Sequence, residues 1–272
     1  MNVETVRART VLLDALEALG EHRSSIILVG AQAVYLRTGS ADVALAEYTT
    51  DADLVLDPRA LATDPRIEDA MDGAGFVRDP TNENPGTWVS RDGVPVDLMV
   101  PDRVAGKGRR GVTVGPHDRG SMRRTVGLEA VLIDHAPLLI SALAGGDGRR
   151  VEINVAGPAG LLVAKLHKVS ERLATPRRRD DKDAHDIYRL LVAVSTGDLA
   201  ATFRTLLLDD LSCDVTVQAL TMLAELFASG PTAPGSIMAG RAERAVGDPE
   251  QVSLAASILA DDLHAELRGE AR

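Results

Sequence analysis

Residues Thr49-Thr50-Asp51-Ala52-Asp53-Leu54-Val55-Leu56 decide how this chain is read. Leu54-Val55-Leu56 is a short apolar run stopped by Asp57-Pro58, so the stretch reads as a strand with two carboxylates at its entry. Strand side chains alternate between faces, so Asp51 and Asp53, separated by one residue, point to the same side. Two like charges side by side repel unless a cation or water relieves them. Magnesium, a hard ion that prefers carboxylate and phosphate oxygens, meets that need. A solvated strand entry meets it too, so the flanking sequence has to decide.

Downstream, Val94-Pro95-Val96-Asp97-Leu98-Met99-Val100 is apolar except for Asp97. A carboxylate there needs a partner, because burying it alone is costly. It either completes a three-carboxylate metal site with Asp51 and Asp53 or pairs with a nearby arginine. Arg91-Asp92-Gly93 joins this strand to Thr87-Trp88-Val89-Ser90 in hairpin fashion. Upstream, Ser25-Ile26-Ile27-Leu28-Val29 reads as a buried strand, followed by Gly30 and the helical Ala31-Gln32-Ala33-Val34-Tyr35-Leu36. Such a junction turns backbone N–H groups toward a phosphate. An amphipathic helix through Val6, Leu12, Leu16 and Leu19, a helix over Ala60–Ala74 and a strand at Val151–Val155 complete a half that mixes strands and helices.

After Gly157-Pro158 only helices are expected: Ala159–Leu173, Lys182–Val194, Leu199–Leu208, Val215–Ala228 and Pro249–Leu267, with Gly230–Gly235 as a linker. The boundaries are therefore set at 1–156 for an α/β domain and 157–272 for a helical one. Lys165, Lys168 and Arg172 share one side of the first of these helices, beside an apolar stripe of Leu162, Leu166, Val169 and Leu173. Periodicity makes this a packed helix with a wet, cationic face.

The strand–Gly30–helix junction, the Asp51-Ala52-Asp53 strand and the later Asp97 resemble the polymerase-β-type nucleotidyltransferase superfamily. Within it the chain is most similar to the AbiEii and MenT toxins of bacterial toxin–antitoxin systems. The further match is Lys165 on its helix and the Lys182-Asp183-Ala184-His185-Asp186 pattern on the next. The chain departs from the signature in carrying Ala31 where a second glycine or serine stands, and in a long spacer between Gly30 and Asp51.

The resemblance implies an α+β chain: a nucleotidyltransferase fold with a mixed sheet and flanking helices, then a helical domain. It implies transfer of a nucleoside monophosphate from an NTP, with pyrophosphate released. Asp51, Asp53 and Asp97 would hold two Mg2+ ions, or Mn2+, with Lys165 and Asp183 joining the catalytic set. Gly30, Ala31, Thr49, Lys165, Lys168 and Asp186 would contact the nucleotide. The implied acceptor is the 3′ end of tRNA, and the implied partner a cognate antitoxin. A small-molecule acceptor, as in antibiotic nucleotidyltransferases, and a catalytically silent partner-binding scaffold are the alternatives.

Composition narrows these further. The single cysteine, Cys213, excludes an intrachain disulfide and a cysteine-based zinc cluster. The polar N-terminus and the lack of a long apolar run point to the cytoplasm and away from a membrane. The net charge is −10, yet Arg103–Arg124 carries seven basic residues against the one acid Asp118. This glycine-rich segment reads as a flexible loop whose Arg109, Arg110, Arg123 and Arg124 meet nucleic-acid phosphates, or simply as a solvated loop. With only seven aromatic residues in the chain, RNA contacts fall mostly on phosphates rather than stacked bases.

Overall fold

The computed structural model describes residues 3–39, 50–79, 85–175, 180–244 and 247–269; Thr49, one of the expected nucleotide contacts, lies outside them. The chain divides into two compact units. The first holds Met1–Ala33, Tyr48–Leu128 and His135–Ala156. The second holds Val34–Glu47, Glu129–Asp134 and Gly157–Arg272.

The first unit is built on a mixed sheet. Its strands are β1 (Ile26–Val29), β2 (Ala52–Leu56), β3 (Val77–Arg78), β4 (Thr87–Val89), β5 (Pro95–Pro101), β6 (Arg123–Thr125), β7 (His135–Ser141) and β8 (Arg150–Ala156). They lie in the order β3-β4-β5-β2-β1-β8-β7, with β6 paired to β5 off that path. In the interior of the sheet, β1 is antiparallel to β2 and parallel to β8, while β2 runs parallel to β5. All four β1 residues are buried. Each such aliphatic side chain contributes about 1.5–3 kcal/mol relative to exposure, which explains why an uninterrupted apolar run sits in the interior. Helix α1 (Val3–Ala18) lies against β2, β5 and α3 (Ile67–Gly73), burying Val11, Leu12, Leu13 and Leu16. Helix α2 (Gly30–Thr38) starts directly at the end of β1.

Several expectations need correction. The helix expected from Ala60 begins only at Ile67. Pro65 disfavours helix in the residue before it, and two buried histidines hold the intervening loop. His22 Nε2 bonds the Pro65 carbonyl at 2.9 Å, and His117 Nε2 bonds that of Ala62 at 2.9 Å. Burial lowers the His22 pKa, which favours its neutral form. Strands β3, β6 and β7 have no counterpart in the sequence reading. The first two are only two and three residues long, and β7 lies at a sheet edge with Leu139 exposed, so no alternation marks it.

The second unit is helical: α4 (Pro158–Ala174), α5 (Lys182–Ala193), α6 (Thr196–Leu208), α7 (Cys213–Leu223), a π-helical turn at Ala224–Ala228, α8 (Pro234–Ala242) and α9 (Pro249–Arg268). Helix α8 falls at the end of the expected linker. Its Pro234 is at the first turn, where a missing N–H costs nothing. Helix α4 has no cap from Gly157 itself. Asp134 supplies one from a distance: its Oδ2 accepts the Gly160 N–H at 2.8 Å. No single helix among the described residues is long and apolar enough to cross a membrane.

Candidate active site

Strand pairing brings two of the three expected carboxylates side by side. In the parallel ladder of β2 and β5, Asp53 is in register with Asp97. Partners in register share a face, so both side chains leave the same side of the sheet. Both residues are only half-buried, whereas Ala52 and Leu54 on one strand and Val96 and Leu98 on the other are buried in the core. The alternation that places the aliphatic residues inside therefore turns the carboxylates outward. On the far side of Asp97, β4 places Thr87 in register with it, and the Thr87 hydroxyl donates to Asp97 Oδ1 at 2.7 Å.

Gly30 sits under this row. Its φ is +68°, in the left-handed region, and a Cβ there would lie 2.0 Å from Asp53 Oδ2. The glycine is needed both for the backbone turn and for the approach of the carboxylate. Gly30→Ala is expected to lower stability by about 1–3 kcal/mol from the backbone conformation alone, and to displace Asp53. Thermal unfolding and transfer rate measured on one preparation would check this, and wild-type values for both would remove Gly30 from the site.

Asp51 precedes β2, and its main chain is fixed from α2. Gln32 Nε2 donates to the Asp51 carbonyl at 3.0 Å, while Gln32 Oε1 accepts from Arg9 Nε at 2.9 Å. Arg9 is itself tied to the Ser141 carbonyl at 3.1 Å. Arg9 and Gln32 are both buried, at 8% and 3% exposure. Sequence reasoning passed over this pair. The available signal was polar: a glutamine between Ala31 and Ala33 in an otherwise small, apolar helix start.

The basic segment is anchored rather than loose, which corrects the expectation of a flexible loop. Glu68 accepts the Asp118 N–H and the Ser121 hydroxyl. The Trp88 indole donates to the Ser121 carbonyl, and the Arg124 backbone N–H donates to the Arg110 carbonyl. Val112, His117, Ser121 and Met122 are buried, leaving Lys107, Arg109, Arg110 and Arg119 exposed. The two C-terminal arginines are engaged. Arg123 pairs with Asp97 Oδ2 at 2.7 Å, and Arg124 pairs with Asp102 at 2.8 Å and donates to the Gly106 carbonyl.

The remaining expected residues meet inside the second unit. Lys165 Nζ lies 2.7 Å from Asp183 and 2.6 Å from Asp186, and all three side chains are at most 6% exposed. Arg172 Nε lies 2.8 Å from Asp183 Oδ2, near enough for an ion pair though not aligned as a hydrogen bond. Lys168 stays 43% exposed, 3.7 Å from Asp183. Lys165 thus lies in the packed side of α4, not on its wet face, because α5 brings two carboxylates to it. Burial opposes the charge on Lys165, yet the two carboxylates outweigh it and raise the Lys165 pKa. Burial likewise opposes the charge on Asp183, yet the neighbouring cations, Lys165 above all, hold it well below the usual carboxylate range.

Asp51, Asp53 and Asp97 fit a hard divalent cation in donor chemistry, and Asp53 and Asp97 fit it in backbone register as well. Among the described residues, no three carboxylate, imidazole or thiol groups close around one point as the side chains stand. At Asp97 the cause is visible, since Thr87 and Arg123 engage both of its oxygens.

A family model described as nucleotidyltransferase matches residues 7–209, most of the chain. A crystal structure of a candidate nucleotidyltransferase from H. pylori aligns over 100% of both chains at 12% identity, with a TM-score of 0.33. A likeness that weak carries no argument about fold or function. No curated protein matches the chain.

Proposed function

The chain belongs to the nucleotidyltransferase family and is an enzyme of that class, and from this premise we propose that it transfers a nucleoside monophosphate to the 3′ end of tRNA, as a toxin of an AbiE-like toxin–antitoxin system. The observation that carries the catalytic half is the register of Asp53 against Asp97, with Asp53 held over Gly30 at the start of α2. Asp51, Asp53 and Asp97 would hold Mg2+, or Mn2+ in its place. Bound there, the metal supplies positive charge to the triphosphate and lowers the pKa of the acceptor hydroxyl. The N–H groups of Gly30 and Ala31, at the positive end of α2, face the same phosphates. Charge stabilisation of this kind supplies most of the rate in phosphoryl and nucleotidyl transfer.

The acceptor half rests on the resemblance to AbiEii and MenT toxins and on the exposed cations Lys107, Arg109, Arg110 and Arg119. Because their segment is anchored, these charges are presented from a fixed base, and less ordering entropy is lost on binding. Each lysine or arginine on a phosphate steepens the salt dependence of affinity by about one in the log–log slope. The Arg109→Glu/Arg110→Glu variant is therefore expected to bind tRNA more weakly, with a slope flatter by about two. NTP binding should be unchanged. Equal tRNA affinity across a salt series would mean that the segment meets something else.

The decisive experiment is incubation of the protein with each labelled NTP and Mg2+, in the presence of total RNA or of aminoglycosides. Label in tRNA, with extra nucleotides found by 3′-end sequencing, is the expected result. Label in the aminoglycoside would overturn the acceptor and keep the chemistry. No label in either, with no Mg2+-dependent NTP binding, would leave a silent scaffold.

A further inference from the structure

Arg123 and Arg124 are neighbours on one short strand, yet they are used differently. Arg124 is committed to its own loop, through Asp102 and the carbonyls of Asp102 and Gly106. Arg123 reaches back into the carboxylate row. β6 runs parallel to β5 with Arg123 in register with Met99, two residues beyond Asp97 and so on the same face. Its guanidinium passes the Met99 thioether at 3.2 Å and ends 2.7 Å from Asp97 Oδ2. The contact with the carboxylate is an ion pair not aligned as a hydrogen bond, and the one hydrogen bond of the guanidinium among the described residues goes to a weak sulfur acceptor.

As a stabilising device this pair is poor. Both side chains are more than a fifth exposed, and ion pairs with that much water contribute little. Its placement is more informative. It neutralises the carboxylate beside Asp53 and takes up an oxygen that a divalent cation would need. A cation drawing on Asp97 weakens the hold of that carboxylate on the guanidinium. The triphosphate that enters with the cation offers the oxyanions that a guanidinium fork matches best.

We infer that Arg123 is a phosphate-binding residue parked on Asp97: it neutralises the third carboxylate in the nucleotide-free protein and passes to the triphosphate when metal and nucleotide bind. This rests on the proposed metal–nucleotide site and adds to it a cation that sequence reasoning assigned to nucleic acid.

Two effects of opposite sign are expected. Arg123→Gln should bind Mn2+ more tightly in the nucleotide-free protein, by about threefold or more, as read from free Mn2+ by electron paramagnetic resonance. The same variant at saturating Mn2+ should bind nonhydrolysable analogues of the four ribonucleoside triphosphates, tried in turn, at least about tenfold more weakly by calorimetry. Weakening of both would make Arg123 a structural support for Asp97, tightening of both a mere blocker, and no change in either an idle contact. Any of these overturns the inference. If wild-type Mn2+ binding is indifferent to Asp53→Asn, the metal reading fails and this inference falls with it. If Asp53→Asn abolishes Mn2+ binding while Arg123→Gln behaves as wild type, only the inference fails. Should Arg123→Gln not fold, Arg123→Lys keeps the charge without the fork. It should leave Mn2+ affinity near wild type and weaken analogue binding about threefold, and unchanged analogue binding would again overturn the inference.

Discussion

Replacing Asp53 by asparagine is expected to lower the rate of nucleotide transfer by about a thousandfold or more, about 4 kcal/mol in barrier terms, without unfolding the protein. Asp53 lies in register with Asp97 and directly over Gly30, so it is central to any cation held by this face. Asp53 is only half-buried and Arg123 already pairs with the neighbouring Asp97, so the charge on Asp53 adds little to the nucleotide-free fold. Removing the charge while keeping the shape should therefore leave the melting temperature close to that of wild type. The check is a pair of measurements on one sample: kcat at saturating NTP and Mg2+, and thermal unfolding. Retention of more than about a tenth of the wild-type rate, a loss under ~1.4 kcal/mol, would show that the cation is held elsewhere. A large fall in melting temperature would make Asp53 a structural residue.

Lys165→Met is expected to act in the opposite way, through stability. It leaves Asp183 and Asp186 buried with their shared ammonium gone. Breaking a buried pair by removing one partner typically costs about 3–5 kcal/mol, because an uncompensated charge remains. Arg172 and Lys168 still face Asp183, so Asp186 bears most of that penalty. Lys168→Ala, by contrast, removes a half-exposed cation and should change stability by less than about 0.5 kcal/mol. The cluster also has a signature in pH. Asp183 has a depressed pKa when folded, so it contributes stability above the unfolded value of about 4, which is lost as pH falls below it. Lys165 has a raised pKa, so its contribution is present below about pH 10.4 and lost as pH rises further. Chemical denaturation of wild type and Lys165→Met between pH 3 and 8 should show the two curves converging at the acid end. Parallel curves would mean that Lys165 is not the partner on which the aspartates depend.

The parts of this structure that were legible in sequence are those set by local periodicity. The strand bearing Asp53, the strand bearing Asp97 and the junction at Gly30 each declare themselves within eight residues. The pairing of Asp53 with Asp97 does not. The two strands run parallel and lie more than forty residues apart, and a one-residue slip would put the carboxylates on opposite faces. Arg123 was visible as a charge but not as a partner of Asp97, because β6 has three polar residues and no apolar alternation to reveal it. Lys165 and Lys168 look equivalent on a helical wheel. The two aspartates of α5 separate them, and helix packing at that distance leaves no mark in the spacing. The glycines of the basic segment suggested looseness, yet at Gly111 a Cβ would lie 2.6 Å from the Arg119 carbonyl. There the small residue serves close packing, a use that composition cannot distinguish from flexibility.

The cap on α4 has a consequence for how the polypeptide can be divided. Asp134 lies ahead of β7 and β8 in the chain, yet it belongs with the helical unit, where it receives the Gly160 N–H. A ribosome therefore releases Asp134 more than twenty residues before the amide it serves exists, and the whole of β7 and β8 emerges in between. A gene cut after Ala156 would encode a first fragment carrying an acidic residue with no helix to cap, and a second whose leading turn starts uncapped. The backbone passes from one unit to the other after Ala33, Glu47, Leu128, Asp134 and Ala156, so no single scission follows the natural seam of this protein.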